Sequence, residues 1–386
     1  MPKGRVLQVI TRLIVGGAQE TVRVSSELLR ARGWEIEIAG GAEEDGQGSL
    51  AGDLEGAGFA VHLVPDLVRK ASLGRDLRAY RHLRGLMRRG GYDLVHTHCA
   101  KAGVLARYAA HRLGIPAVHT VHGWSFNAAT NPLEHAVYVR LERQGARWCR
   151  RLIVVSDRDR QQGLKLRIGH PAQYLCVRSG VDVAALERSV PRRAKKRAEL
   201  GFEPHHKVAG TVMRLEEAKA PLDLLESAAL AAQHVPDARF VLVGDGPLMP
   251  AVKARLKALG LEDRLVLLGL RRDVPDLMAA FDVFVLSSHW EGCPRVIPEA
   301  MAAGRPVVAT YVGGVSECVT EGENGYLVAA RDTEALAERL VRVLTDEALA
   351  ERLGRRGREM VGAEFGVETM AGRLDKLYEQ TLATGS

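Results

Sequence analysis

The segment WEGCPRVIPEAMAAGRPVVAT, residues 290–310, decides how the rest of the chain is interpreted. A mostly apolar run at 281–286 precedes it, and a second apolar run at 307–310 ends it. Short apolar runs bounded by glycine, proline and polar residues are typical of buried strands. The segment therefore predicts a strand, a loop, a short helix and a second strand in succession.

Two glutamates lie where the predicted loop and helix meet. Pro298 suits the first helical position, where its missing N–H is not needed, and Gly304 suits the end of the helix. Glu299 then falls in the first helical turn, eight residues after Glu291 on the loop. Since a helix N-terminus attracts phosphate and carboxylates accept hydrogen bonds from hydroxyls, the pair predicts a site for a phosphate-linked sugar or ribose.

The segment resembles the E-x7-E segment of the retaining glycosyltransferases of family 4, which have the GT-B fold. The resemblance implies that Glu299 holds the ribose of a nucleotide-sugar and that Glu291 lies against the donor sugar. The backbone N–H groups of Arg295 and Val296 are expected to reach sugar hydroxyls, whereas Pro294 has no N–H to donate. A structural corner with two solvated glutamates is the alternative interpretation.

Strand-like and helix-like segments alternate along the chain, which is typical of α/β proteins with parallel sheets. We therefore predict two doubly wound, Rossmann-like domains, which the resemblance to GT-B enzymes implies face each other across a cleft. The predicted divisions are an acceptor-binding domain at 1–183, a charged linker at 184–206, a nucleotide-sugar-binding domain at 207–362, and a C-terminal helix at 363–386 that returns to the first domain.

Composition is that of a soluble globular protein, with 46% hydrophobic and 26% charged residues among 386. We find no apolar run near the roughly 20 residues of a membrane span and no signal-peptide pattern at the start. The five cysteines are widely spaced and include no C-x-x-C pair, which favours a reducing cytoplasm over a disulfide framework or a zinc site.

Positive charge is concentrated in the first half of the chain. Residues 1–180 carry 27 lysines and arginines against 16 acidic residues, and 69–89 alone contain eight basic residues and one acid. This pattern favours an anionic lipid surface at the inner face of the cytoplasmic membrane, or simply a solvated arginine-rich surface. Nucleic acid is the least favoured partner because no aromatic residues are interleaved with the charges and no nucleic-acid-binding motif is present.

A pair of cations is predicted at the start of the second domain. Residues 212–220, VMRLEEAKA, resemble the family's GRL…KG segment, with Met213 and Ala220 at positions where glycine is usual. Arg214 and Lys219 lie after a strand and before a helix, so both can reach one phosphate site. When a nucleoside diphosphate leaves, such cations can stabilise the developing charge without a metal ion. Both side chains could instead be solvated.

Two further segments of the second domain resemble family motifs. Gly244 and Gly246 belong to a GDGP segment that is similar to the family's GxGP turn, and Leu270 and Arg271 correspond to the loop that faces the nucleobase. The resemblance therefore implies that these four residues bind the nucleotide-sugar.

The first domain contributes a glycine pair and histidines. Gly16 and Gly17 follow the first predicted strand and resemble the family's glycine loop; the absence of G-x-G-x-x-G disfavours a nicotinamide cofactor. His122 occupies the T-x-H position whose imidazole lies near the donor sugar in the family, although a histidine at a strand end is often structural. His98 and Lys101 belong to the HTHCAKAG segment, which resembles an HTH…KAG segment of the family. The resemblance implies that they could contact a phosphate of the acceptor.

We expect no metal cofactor. His96 and His98 form an H-x-H pair, but no third ligand is evident. Asp157 and Asp159 spell D-x-D, yet they follow Ser156, a suitable N-cap, so an exposed first helical turn is the favoured interpretation.

Together these features predict a metal-independent, retaining glycosyltransferase that moves a sugar from a nucleotide-sugar, expected to be a UDP-sugar, to a glycan. The preferred acceptor is lipid-linked, such as a polyprenyl-diphosphate sugar, and the expected location is the cytoplasm, peripheral to the membrane. His122, Glu291, Arg214 and Lys219 are the candidate catalytic residues, and Gly16 and Gly17 are expected to border the donor. A UDP-sugar 2-epimerase, a non-catalytic nucleotide-sugar-binding module and, less favoured, a glycosidase remain alternatives.

Overall fold

The structure, a computed structural model, describes residues 2–43, 48–126 and 130–383. It divides into two compact units. The first contains the chain up to Ser179 and the C-terminal segment from Val367, and the second extends from Gly180 to Gly366. Each unit is a parallel sheet with helices on both faces, so the predicted pair of doubly wound α/β domains is confirmed.

The first unit contains a parallel sheet of seven strands in the order β3-β2-β1-β4-β5-β6-β7. Its strands are β1 (Gly4–Arg12), β2 (Trp34–Gly41), β3 (Ala60–Leu63), β4 (Leu94–His98), β5 (Ala117–Val121), β6 (Arg151–Val154) and β7 (Tyr174–Cys176). Its first six helices are α1 (Gly17–Ala31), α2 (Ala51–Gly56), α3 (Leu73–Gly90), α4 (Ala100–Leu113), α5 (Pro132–Ala146) and α6 (Asp157–Lys165). The strand order reverses between β1 and β4, and ligands of such sheets bind at the carboxyl ends of the strands at this point.

The second unit repeats this plan with six parallel strands in the order β10-β9-β8-β11-β12-β13. The strands are β8 (Lys207–Val212), β9 (Ala238–Val243), β10 (Leu265–Gly269), β11 (Val283–Leu286), β12 (Val307–Thr310) and β13 (Gly325–Val328). The helices are α7 (Val183–Ser189), α8 (Arg193–Glu199), α9 (Pro221–His234), α10 (Met249–Ala258), α11 (Val274–Ala280), α12 (Val296–Ala302), α13 (Thr333–Thr345) and α14 (Glu347–Glu364). Here the order reverses between β8 and β11.

The segment 184–206 is not a linker, contrary to the prediction. It forms α7 and α8, which pack against the second unit. Its charged side chains have partners there: Arg193 binds Asp282, and Lys196 Nζ lies 2.9 Å from Asp273 Oδ2. Composition was misleading because these charges are paired within the fold. The second unit therefore begins at Gly180.

The C-terminal helix, α15 (Val367–Ala383), belongs to the first unit, as predicted. It begins four residues later than the predicted boundary because α14 continues to Glu364. Its apolar face, including Leu374 and Tyr378, joins the core cluster around β1 and α1. Asp375 accepts hydrogen bonds from Lys3 and from Trp34 Nε1, the latter at 2.8 Å. These contacts fasten the two ends of the chain to one sheet.

Among the helices of the described ranges, none combines the length and apolarity that crossing a membrane requires. The D-x-D segment forms the first turn of α6, and Ser156 Oγ accepts a 3.0 Å hydrogen bond from the Asp159 N–H. The predicted helix start is therefore confirmed.

Candidate functional site

The second unit brings the predicted cations and one predicted carboxylate together at its switch point. Arg214 and Lys219 lie on the loop between β8 and α9, and Glu291 lies on the loop after β11. Because β8 and β11 are adjacent parallel strands, their carboxyl ends place these two loops side by side. The backbone N–H groups of His289 and Trp290 both donate to Ala218 O, at 2.9 and 3.3 Å, which joins the loops directly.

Lys219 and Glu291 form the central contact of this site. Lys219 Nζ lies 2.6 Å from Glu291 Oε2, and Ser288 Oγ donates to Glu291 Oε1 at 2.6 Å. The Glu291 side chain is only 5% exposed, whereas that of Lys219 is 24% exposed. Both carboxylate oxygens are thus occupied by donors from the two loops, while the ammonium group keeps access to solvent and further donor capacity.

Arg214 lies on the same loop, close to another carboxylate. Its Nε is 3.1 Å from Glu216 Oε2, but this nitrogen is buried and has no well-aligned hydrogen bond within the described chain. We therefore treat the pair as an ion pair without a good hydrogen bond. A group held in this way can turn toward an incoming anion at small cost.

Gly244 and Gly246 are needed because two backbones approach closely. A Cβ on Gly244 would lie 1.8 Å from Met213 O, and a Cβ on Gly246 would lie 2.5 Å from Leu215 O. The two loops are also hydrogen-bonded, since the Leu215 N–H donates to Asp245 O at 3.0 Å. The glycine turn therefore supports the loop that carries Arg214; this is a structural role beside the predicted binding role.

Met213 and Ala220 stand at positions where the family usually has glycine, and the two replacements have different consequences. Met213 is buried in the core of the unit. Ala220 caps α9 in the left-handed region, with φ +48° and ψ +55°, a conformation that costs a residue with a Cβ about 1–2 kcal/mol. This position favours glycine on backbone grounds, and the chain accepts the strain here.

The helix that carries Glu299 starts earlier than predicted. Helix α12 begins at Val296, so Pro298 is its third residue and Glu299 its fourth, still in the first turn. Ile297 N–H donates to Pro294 O at 3.3 Å, and Pro298 has no N–H. Val296 is therefore the remaining first-turn donor in the described residues, and the predicted row of helix N–H groups is shorter than expected.

Arg295, the N-cap of α12, lies next to Glu299, the carboxylate predicted to bind ribose. Its Nη2 is 3.4 Å from Glu299 Oε1, and the two side chains are 10% and 19% exposed. The carboxylate and guanidinium are thus neighbours within the same turn. Glu299 retains some access to solvent, as a ligand-binding carboxylate requires.

The loop after β10 places Leu270 and Arg271 differently. Leu270 is 48% exposed, whereas both Arg271 Nε and Nη2 bind Asp273, at 2.8 and 2.7 Å. The Arg271 guanidinium holds the pKa of Asp273 well below its usual range, with Lys196 assisting. Leu270 therefore presents an apolar surface, and Arg271 is already paired.

Sequence reasoning missed several residues that shape this site. Ser288 donates a hydrogen bond to the second carboxylate oxygen of Glu291. His289 Nε2 lies 2.7 Å from Asp223 Oδ2 on α9. Gly313, with φ +51°, approaches so closely that a Cβ would lie 1.8 Å from Glu291 O. The serine pair before Trp290 and the glycine pair at 313–314 were signals in the sequence, but their partners are distant in the chain.

In the first unit, His98 and His122 come together at the carboxyl edge of the sheet. His98 ends β4 and His122 follows β5, and His98 Nδ1 lies 3.0 Å from His122 Nε2. His98 is 2% exposed, and its burial holds the pKa well below the usual histidine value. His122 is half-buried. Of the two, His122 is the one that a ligand can reach.

Three other predicted residues of the first unit occupy well-defined positions. Gly16 is the N-cap of α1, and Gly17 is its first residue. Lys101 donates to Asp76 Oδ1 at 2.7 Å and also to the Lys70 carbonyl. Lys101 is thus engaged within the protein, and an acceptor phosphate would have to compete with Asp76 for it.

The described residues contain no group of three histidine, cysteine, aspartate or glutamate side chains arranged to hold a metal ion.

Comparison with known proteins places this geometry in a family. Residues 16–180 match the model of a glycosyl transferase 4-like domain, and residues 206–346 match that of glycosyl transferases group 1. The chain is 34% identical over 320 residues to the UDP-Gal:alpha-D-GlcNAc-diphosphoundecaprenol alpha-1,3-galactosyltransferase of Escherichia coli, covering 82% of each chain.

Solved structures agree on the fold. The Anabaena protein Alr3699/HepE, in complex with UDP-glucose, superposes with a TM-score of 0.84 at 24% identity, covering 98% of this chain and all of the other. Sucrose-phosphate synthase from Thermosynechococcus elongatus gives a TM-score of 0.84 at 22% identity, covering 99% and 100%. The Escherichia coli relative is named a galactosyltransferase and both matching models are of glycosyl transferases, so the epimerase and non-catalytic alternatives are not favoured. The chain belongs to the glycosyltransferases of family 4, with the GT-B fold.

Proposed function

We propose that this glycosyltransferase moves a sugar from a UDP-sugar to a lipid-linked, diphosphate-bearing acceptor, with retention of configuration and without a metal ion. The observation that carries the proposal is the junction of the β8 and β11 loops, where Lys219, Glu291 and Ser288 are in contact and where Arg214 lies on the same loop as Lys219. The named specificity of the Escherichia coli relative for UDP-Gal and a diphosphoundecaprenol-linked sugar supports the choice of both substrates.

Arg214 and Lys219 are proposed to stabilise the leaving diphosphate. Departure of the nucleotide increases the negative charge on its β-phosphate, and fixed cations near that oxygen lower the barrier. Lys219 Nζ can keep its contact with Glu291 while it donates to phosphate, because an ammonium group has three donors. Arg214 can offer a two-pronged contact once its guanidinium turns away from Glu216.

Glu299, Val296 and Arg295 are proposed to hold the rest of the donor. Glu299 accepts hydrogen bonds from ribose hydroxyls, and the Val296 N–H, with that of Arg295, donates to oxygens of the donor. Leu270 offers apolar contact to the nucleobase, with Arg271 beside it. Glu291 orients the donor sugar by accepting a hydrogen bond from it. The accepting carboxylate oxygen is one that also contacts Lys219 or Ser288.

The first unit is proposed to bind the acceptor and to contribute His122 to the reacting sugar. Because His98 is buried, His122 is proposed to make any direct contact, with His98 hydrogen-bonded to it from within the sheet. Lys101 remains a candidate for an acceptor phosphate, in exchange with Asp76. Gly16 and Gly17, at the start of α1, are proposed to allow close approach of the donor.

The enzyme is proposed to act in the cytoplasm at the inner face of the membrane. On α3, Leu73 is 93% exposed and Leu77 is 47% exposed, and the surrounding segment is the arginine-rich stretch 69–89. Apolar side chains set among basic ones suit insertion into an anionic lipid surface. We expect flotation with vesicles that contain anionic lipid and a clear loss of flotation in a Leu73→Ser/Leu77→Ser variant. Equal binding to neutral and anionic vesicles would refute the electrostatic part.

The direct test is a transferase assay with a panel of UDP-sugars and a polyprenyl-diphosphate-linked N-acetylglucosamine acceptor. We expect acceptor-dependent release of UDP, unaffected by EDTA, and a product whose anomeric configuration by NMR matches that of the donor. Loss of activity with chelator, restored by a divalent cation, would contradict metal independence. Conversion of a UDP-sugar without acceptor would favour the epimerase reaction instead.

A further inference from the structure

A continuous row of buried polar side chains connects the C-terminal helix to His122. Tyr378 OH lies 3.1 Å from Gln8 Nε2, Gln8 Oε1 lies 2.8 Å from His98 Nε2, and His98 Nδ1 lies 3.0 Å from His122 Nε2. A branch runs from Tyr378 OH to His96 Nδ1, at 2.5 Å, and from His96 Nε2 to Thr120 Oγ1, at 2.7 Å. We call these six residues the histidine chain.

The interior members of the histidine chain are shielded from water. Gln8 and Tyr378 are 0% exposed, and His96 and His98 are 1% and 2% exposed. Burial lowers the pKa of His96 to about 3 and holds that of His98 well below its usual value. Both imidazoles are therefore neutral at physiological pH, and each has one donor nitrogen and one acceptor nitrogen.

With neutral imidazoles, the hydrogen bonds of the histidine chain can be donated in either of two consistent directions, and the orientation of the Gln8 amide determines which one. With its oxygen toward His98, Gln8 requires His98 Nε2 to carry the proton. His98 Nδ1 is then the acceptor, so His122 Nε2 must donate to it, and the proton of neutral His122 is on Nε2. Reversal of the amide would reverse every donor along this path.

Tyr378 continues the direction of donation that the Gln8 amide sets. In the observed orientation, Gln8 Nε2 donates to the phenol oxygen, so the phenol O–H donates to His96 Nδ1. His96 Nε2–H then donates to Thr120. The buried phenol thus accepts one bond and donates another, and reversal of the amide would require the phenol and both imidazoles to reverse with it.

We propose that Tyr378 and Gln8 are positioning residues that fix the protonation of His122, so that Nε2 carries the proton and Nδ1 is an acceptor. Its consequence for catalysis rests on the proposed role of His122 beside the donor sugar. The tautomer decides whether Nδ1 of a neutral His122 accepts or donates a hydrogen bond.

The surroundings of the histidine chain contain one further buried histidine. His119 Nδ1 lies 2.8 Å from Thr97 Oγ1, and burial and the neighbouring Arg107 hold its pKa well below the usual value. No hydrogen bond between His119 and the histidine chain is present in the described structure. The Thr97–His119 pair is therefore a matched control: it is equally buried and lies on the same strands, and its hydrogen bonds do not involve the histidine chain.

The test is nitrogen NMR of the full-length protein labelled with 15N-histidine, with resonances assigned from single substitutions. The nitrogen shifts and their couplings to ring protons show which nitrogen of each imidazole is protonated. In spectra recorded at a pH where the imidazoles are neutral, we expect His98 and His122 each in one form, with Nε2 protonated. A wild-type His122 with the proton on Nδ1, or a mixture of forms, would overturn the proposal.

Two variants extend the test. Tyr378→Phe should give a mixture of both tautomers at His122, with kcat about fivefold lower and the donor KM little changed; Thr97→Val should leave the His122 signals unchanged. An unaltered His122 in Tyr378→Phe would refute the positioning role. Should Tyr378→Phe fail to fold, Gln8→Glu, which offers only acceptor oxygens to His98, should retain the Nε2-protonated form. Because the NMR result needs no substrate, it stands or falls separately from the proposed reaction.

Discussion

Replacement of Lys219 by methionine removes the positive charge while it preserves most of the length of the side chain. In the wild type this charge lies 2.6 Å from Glu291, whose side chain is 5% exposed. The variant therefore changes two things at once: the leaving diphosphate loses the cation that we propose stabilises it, and a buried carboxylate loses its partner. The two effects have different sizes and can be measured separately.

The effect on catalysis should be the larger one. Loss of one group that stabilises transition-state charge costs about 3–4 kcal/mol, or about 10²–10³ in kcat. Breaking a fully buried ion pair costs about 3–5 kcal/mol of stability. Because Lys219 is about a quarter exposed and Ser288 still donates to Glu291, water can compensate in part, and we expect a loss of about 2 kcal/mol.

A second substitution separates the two effects. In the double variant Lys219→Met/Glu291→Gln, the amide has no charge to leave uncompensated, so most of the lost stability should return. The loss of kcat should remain, because the diphosphate still lacks its cation. Stability is measured by urea unfolding, and kcat by release of UDP at saturating donor and acceptor. A kcat within about threefold of wild type in Lys219→Met, or a kcat that recovers together with stability, would refute the electrostatic explanation.

Two further predictions concern the backbone and pH. Gly260 has φ +65° and open space around it, so Gly260→Ala should cost about 1 kcal/mol of unfolding free energy. Gly244→Ala would place a Cβ against Met213 O, so it should cost several times more and reduce activity. Equal costs for the two variants would contradict the supporting role of the turn. Buried His96, His98 and His119 have lowered pKa values, to about 3 for His96, so the unfolded chain binds more protons below about pH 6.5. The free energy of unfolding should therefore decrease as the pH is lowered below that value, with a slope that approaches about 4 kcal/mol per pH unit. His119→Asn should remove a third of this slope. Equal midpoints of urea unfolding at pH 7 and pH 5.5 would contradict the prediction.

The arrangement of the sheets and the main residues of the site could be predicted because their signals are local. Alternating strands and helices imply parallel sheets, and the loops after β8 and β11 must meet once those strands are neighbours. Arg214, Lys219 and Glu291 were predicted from segments that resemble family motifs and that follow predicted strands. The contact between Lys219 and Glu291, however, spans 72 positions in the chain, and no spacing rule gives a contact between two loops.

The errors have a common physical origin in pairs of polar groups that are distant in sequence. The segment 184–206 looked like a solvated linker because its charges were visible in the sequence and their partners were not. Likewise Gln8 and Tyr378 form a hydrogen bond although they are 370 positions apart in the chain. Polar groups lower their burial cost by finding partners anywhere in the fold, so composition over a short window cannot reveal whether they are exposed.

The structure also refines the electrostatic idea on which the site was predicted. The cations proposed to bind the nucleotide-sugar all have a carboxylate neighbour in the same unit: Lys219 with Glu291, Arg214 with Glu216, Arg295 with Glu299, and Arg271 with Asp273. A site with uncompensated cations would bind the donor diphosphate strongly before the reaction as well as during it, which lowers KM without raising kcat. Lys219 is held in place by Glu291, so we expect little reorganisation of its ammonium group when the charge on the leaving group grows, whereas Arg214 first has to turn away from Glu216. We therefore expect the carboxylates to contribute to catalysis by orienting the cations and by limiting ground-state affinity, in addition to the contacts that two of them are proposed to make with the sugar and ribose.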